Sequence, residues 1–144
     1  MIIFNRLGEL GRLGNQLFQV IATLSHANRM GVPAAFNKWE YSKYFLHPVD
    51  DSLEKDVMRV NGRDHDLVPH VKHGYSPIPN GRSQCLLGFF QSHKYIEKEA
   101  LKYLLPGNDL MKRVREAGSS IIHRMNTCAI HVRRGDYLEK TGYH

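Results

Sequence analysis

The stretch MIIFNRLGELGRLGNQLFQVIATLSHANRMGVPAAF, residues 1–36, reads as strand, loop, helix and strand. Ile2-Ile3-Phe4 is apolar, residues 5–14 hold three glycines, and Leu17, Val20, Ile21 and Leu24 recur at helical spacing. Gly31 stops the helix, and Val32-Pro33-Ala34-Ala35-Phe36 resumes an extended run. The opening is therefore a βαβ-like unit whose first loop leaves the carboxyl end of strand one, where ligands of α/β sheets bind.

Further along, periodicity weakens and then returns. Residues 37–83 mix Trp39, Tyr41, Tyr44 and Phe45 with scattered charges, Pro69, Pro77, Pro79 and Gly81, and predict short elements and loops. Residues 84–90 predict a short apolar strand. Ser92 can cap a helix carrying Ile96, Ala100 and Leu104 that Pro106-Gly107 ends. Asn108-Asp109 can cap another, with Leu110, Val114, Ala117 and Ile121 on one face and Arg124 near its carboxyl end. Residues 128–132 then predict a strand. Helix-then-strand order with non-alternating apolar strands predicts an α/β fold, a Rossmann-like, mostly parallel sheet.

Composition bounds the rest. The 144 residues suit one domain, and 42% hydrophobic content is enough for a real core. A net charge of +6 favours anionic partners without choosing among nucleotides, phosphates, nucleic acid and membrane surface. No apolar run approaches the roughly 20 residues of a membrane helix, and Met1-Ile2-Ile3-Phe4 lacks a charged n-region, which predicts an untargeted, soluble protein with no integral membrane segment. Cys85 and Cys128 each lie in an apolar strand-like run and read as reduced core thiols, from which a cytoplasmic setting follows. His65, His70 and His73 lack a convincing fourth ligand or a regular element to fix them, so no metal is assigned. No stripe of interleaved arginines and stacking aromatics supports nucleic acid.

Three segments carry chemistry. Gly11-Arg12-Leu13-Gly14-Asn15-Gln16-Leu17-Phe18-Gln19 is a glycine loop entering a helix, which lets backbone approach a ligand and offers unpaired N–H groups to an anion. Glycine turns with an Asn cap precede many helices, so this motif alone leaves a purely structural role open. His131-Val132-Arg133-Arg134-Gly135-Asp136-Tyr137 ends a strand with two adjacent arginines, one free to meet a phosphate while the other pairs with Asp136; a solvated turn with an ion pair is the plainer alternative. Gly88-Phe89-Phe90-Gln91-Ser92-His93-Lys94-Tyr95-Ile96 lies between them.

In wording, order and spacing these segments resemble the family 11 glycosyltransferases, the α-1,2-fucosyltransferases, whose patterns look like G-x-L-G-N-Q-x-F-Q, G-[YF]-F-Q-S-x-K-Y and H-x-R-R-G-D-Y. The resemblance covers the family's whole amino-terminal portion. It implies a two-domain GT-B fold, GDP-fucose as donor, a glycan acceptor ending in galactose, and inversion at the sugar carbon without a metal or other cofactor. The chain would then be the amino-terminal half, residues 1–144, ending soon after the arginine motif and inactive without the carboxyl-terminal nucleotide-binding half. Its opening loop, residues 5–10, is longer than in many relatives.

On this resemblance Arg133 is the catalytic contact to the β-phosphate, and Gly14, through its backbone, and Asn15 bind the donor from the other side. Arg134 and Asp136 hold the motif loop in shape, and Arg12 and Gln16 support the glycine loop. His131 reads as a packed strand histidine because the strand before it is apolar. For the general base Asp136 is possible, Glu9 poor, and water or a residue of the other half equally able. Two other readings stand beside this one: an α-1,6- or protein O-fucosyltransferase, and a basic nucleotide- or glycan-binding module without catalysis.

Overall fold

The computed structural model describes residues 1–70, 74–122, 128 and 130. β1, Ile2–Phe4, leads through a glycine-bearing loop into α1, Leu13–Met30, and on to β2, Ala34–Phe36. A hairpin of β3, Arg59–Val60, and β4, Arg63–Asp64, precedes β5, Asp66–His70, and β6, Gln84–Gly88. The four longer strands form one sheet in the order β2-β1-β6-β5, and every neighbouring pair is parallel. This is an α/β fold in which the four strands of the larger sheet deliver their carboxyl ends to one edge.

β1 is the axis of the sheet. Ile2 pairs with Ala34 on one side and Gln84 on the other, so a strand of three residues is bonded along both edges. Alternation decides which face each residue serves. Ile2 and Phe4, with Phe36 and Leu86, join Val20, Ala22 and Ala27 of α1 in the larger core. Ile3, Ala35 and Cys85 point to the other face, where Leu53, Met58 and Val60 cover them. Ile2, Ile3 and Phe4 are wholly buried, which explains why the strand reads as a continuous apolar run.

α1 ends as its sequence predicts. Gly31 adopts φ +62°, and its N–H reaches the Ala27 and Asn28 carbonyls. β5 was not legible: Leu67 is 53% exposed and Pro69 lies in the strand, a residue tolerated only at an edge, which is where β5 sits.

One expected helix needs correction. Past Ser92, whose Oγ accepts from the Lys94 N–H at 3.3 Å, the chain makes two 3₁₀ segments, His93–Tyr95 and Lys98–Leu104, in place of one α-helix. The Ser25 hydroxyl also accepts from the Glu97 N–H at 3.0 Å, which ties the break between the two segments to α1. α2 spans Asn108–Ile122, where the spacing predicts a helix, and along its apolar stripe Val114 is 47% and Ile121 54% exposed.

The compact unit that carries the sheet is Met1–Met111; Lys112–His144 form a second, described through α2 and residues 128 and 130. Cys128 and Ile130 are exposed, so Cys128 is not the core thiol its apolar neighbours suggest. The rest of the strand predicted over residues 128–132 lies outside the described residues.

Candidate functional site

The loop between β1 and α1 is built by amide side chains. Asn37, just past β2, donates from Nδ2 to the Leu7 carbonyl at 2.9 Å and accepts the Leu7 N–H at 2.7 Å. Asn5 donates to the Val57 carbonyl at 2.7 Å. From α1, Gln16 donates to the Gly11 carbonyl at 3.1 Å and Gln19 to the Leu10 carbonyl at 2.9 Å. Trp39 completes the set by donating from Nε1 to Gln16 Oε1 at 2.8 Å while its ring stacks on Phe45. Asn5, Gln16, Gln19, Asn37 and Trp39 are all buried residues, and the Asn37–Leu7 pair and the Trp39–Gln16 bond form away from water, where an unmade bond is costly.

Gly11 is the hinge of this loop. Its φ of +80° is a left-handed conformation that side chains disfavour, and a Cβ there would stand 2.0 Å from Asn15 Nδ2. Gly14 differs: a Cβ on it would meet nothing within 4 Å. Arg12 occupies the N-cap in extended conformation, and Leu13, Gly14 and Asn15 form the first turn, with no acidic residue in it. Their N–H groups precede the first intrahelical bond, from Gln16 N to the Arg12 carbonyl at 3.1 Å. The start of an 18-residue helix thus points its partial positive charge to the carboxyl edge of the sheet.

The segment after β6 arrives at the same edge. Gly88, at φ +146°, packs so close to β5 that a Cβ would lie 2.7 Å from both the Cβ and the carbonyl oxygen of His70. Phe90 then turns through φ +51° and buries its ring against His70 and Tyr95. Tyr95 is anchored in turn, its hydroxyl donating to the Ser76 carbonyl at 2.7 Å and accepting the Ser76 N–H at 2.8 Å. With Phe90 pointing inward, Gln91 emerges and donates from Nε2 to Asn15 Oδ1. Two motifs separated by 76 positions are joined by that bond.

Of the residues chosen from sequence, Arg12, Gly14, Asn15 and Gln16 therefore cluster at one edge, although Gln16 serves structure by holding Gly11 and Trp39. Glu9 is ion-paired with Lys55, whose amine it holds above its ordinary pKa. His131, Arg133, Arg134 and Asp136 lie outside the described residues. Gln19, Asn37 and Gln91 were missed. Gln19 lies in the glycine-loop motif and Gln91 in the segment Gly88–Ile96, whereas Asn37 carries no local signal because its partner Leu7 is 30 positions away.

Among the described residues no group of three or more His, Cys, Asp or Glu could hold a metal ion, and no helix is long and apolar enough to cross a membrane. No family model matches the chain, and no curated protein or solved structure matches it.

Proposed function

We propose that this chain forms the amino-terminal side of a GT-B fucosyltransferase that transfers L-fucose from GDP-fucose to a galactoside hydroxyl with inversion. The observation that carries the reading is the Asn15–Gln91 hydrogen bond, which joins the glycine loop and the middle segment of the resemblance at the ligand-binding edge of a parallel sheet. Both segments would otherwise be unrelated turns.

The chemistry follows from charge. The bond from the fucose anomeric carbon to the β-phosphate oxygen breaks, the acceptor oxygen bonds to that carbon from the opposite face, and the hydroxyl proton passes to a base. GDP leaves with the electron pair. Negative charge grows on the β-phosphate as the sugar becomes oxocarbenium-like, and fixed N–H donors and cations stabilise it. The N–H groups of Leu13, Gly14 and Asn15 at the start of α1 suit that task, and Gly14 leaves room for close approach. Arg133 takes the β-phosphate by resemblance, with Arg134 and Asp136 supporting it.

The test is fucose transfer from GDP-fucose to a terminal galactoside by the complete gene product. Guanidinium grips two oxygens with a planar pair of donors and ammonium does not, so Arg133→Lys should lower kcat by roughly 100- to 1,000-fold while weakening donor binding less. Arg134→Lys should do less. Near-normal kcat in folded Arg133→Lys, with loss in Arg134→Lys, reverses the two assignments; absence of transfer to any galactoside overturns the reading.

A further inference from the structure

Because the strands are parallel, their amino-terminal ends share the sheet edge opposite Asn15 and Gln91. A cavity of about 620 Å³ opens there. Met1, Pro33, His65 and Ser83, from the entries to β1, β2, β5 and β6, line it together with Arg82 and with Arg63 of β4. Among the described residues that line it there is no Asp or Glu.

Arg63 and Arg82 differ from the other arginines of this unit whose pairing is seen. Arg6 is bound to Asp56, Arg29 to Glu97 and Arg59 to Asp64, while neither Arg63 nor Arg82 has a carboxylate partner among the described residues. Burial first, and then the charges of Arg63 and Arg82, hold the Met1 amino group, which donates to the Arg82 carbonyl at 2.5 Å, below its ordinary pKa. His65 is fixed beside them by a contact of 3.2 Å between Nδ1 and the Arg63 carbonyl, so that nitrogen carries the proton, and its buried Nε2 has no partner among the described residues.

Arg63 and Arg82 both line one concave wall, and the guanidinium of each can grip an oxyanion with two parallel N–H bonds. The volume lies within the range of about 300–1,000 Å³ typical of small-molecule sites, and a bare phosphate would leave most of it empty. We propose that this cavity is a second ligand site, which binds a phosphorylated small molecule through Arg63 and Arg82. It is independent of the carboxyl-edge site and of the fucosyltransferase reading.

The experiment titrates ribose 5-phosphate, and separately inorganic phosphate, into the chain and follows both the heat of binding and the His65 ring resonances. Ribose 5-phosphate is expected to bind more tightly than phosphate, with a saturating shift at His65. Arg63→Gln and Arg82→Gln, both at exposed positions, should each weaken binding roughly ten- to a hundredfold, and Asn15→Ala should leave it unchanged. An unmoved His65, or binding that survives both arginine substitutions, overturns the proposal. So does displacement of the sugar phosphate by single-stranded DNA with affinity that grows with strand length, since that marks an extended polyanion surface.

Discussion

Asn15 Oδ1 accepts from Gln91 Nε2, and this bond closes the carboxyl edge of the sheet between the start of α1 and the exit of β6. Asn15 can hold that position because Gly11 lacks a side chain: a Cβ at residue 11 would overlap the Asn15 amide. Gln91 can hold it because Phe90 accepts a left-handed backbone and turns inward.

Two glycine substitutions should separate folding from ligand approach. Gly11→Ala imposes strain at φ +80° and expels Asn15, at a cost of about 1–3 kcal/mol. Gly14→Ala meets no atom within 4 Å and should leave the melting temperature nearly unchanged, yet, on the fucosyltransferase reading proposed above, weaken GDP-fucose binding by crowding the approach of backbone to the phosphates. Thermal melts and donor titration of both variants decide; equal melting temperatures would contradict the role given to Gly11.

Trp39 is the chain's single tryptophan, buried and bonded to Gln16. Trp39→Phe keeps an aromatic ring but leaves Gln16 Oε1 without its donor, so stability should fall by about 1–3 kcal/mol. Denaturant melts followed by circular dichroism measure it. In the unsubstituted protein, Trp39 fluorescence should shift to longer wavelength as the loop opens.

His26 predicts acid sensitivity. Burial, and then the Arg29 charge, lower its pKa from the ordinary 6.5, against the opposing effects of Gln84 and Glu97. The ring stays neutral, with Nε2–H donating to Gln84 Oε1 at 2.7 Å and Nδ1 accepting from Arg29 at 3.4 Å. The unfolded chain binds the proton more readily, so this group's stabilisation is present above pH 6.5 and is lost as pH falls toward the folded value. His26→Gln should flatten the slope of stability against pH between 6.5 and the acid transition.

The two cysteines should react at different rates. Cys85 is buried, with its thiol pushed up to about 11 by burial and its S–H donating to Asn5 Oδ1 at 3.4 Å. Cys128 is exposed. At pH 8 a maleimide should label Cys128 at once and Cys85 only on unfolding, read by mass spectrometry of tryptic peptides. Cys85 ionises more readily unfolded, from an ordinary 9.0, so its contribution to stability fades as pH climbs from 9 to about 11.

What the sequence made legible follows contact range. β1, α1 with its Gly31 stop, and β2 are written in local apolar periodicity, and each stands within a residue or two of its expected place. β5 depends on pairing with β6 at a sheet edge, where exposed Leu67 and Pro69 leave no apolar run to read. The helix expected after Ser92 failed because backbone contact to Ser25, 72 positions earlier, overrode local spacing. At the site, Arg12, Gly14 and Asn15 are visible as a motif and Gln91 as part of another, but the roles of Gln91 and Asn37 are not legible, since they exist only once distant loops meet.

The central position of β1 has a consequence for synthesis. Residues 2–4 leave the ribosome well ahead of β6, and one of their edges stays unpaired until Gln84 and Cys85 follow. At about 5–20 residues per second that wait lasts roughly 4–16 s, during which a wholly apolar strand carries open N–H and C=O groups. β2 can pair within the early βαβ segment, so the β6 side is the vulnerable edge. A nascent chain stalled before residue 84 should therefore be a strong substrate for holding chaperones, and its recruitment of them should drop once β6 has emerged.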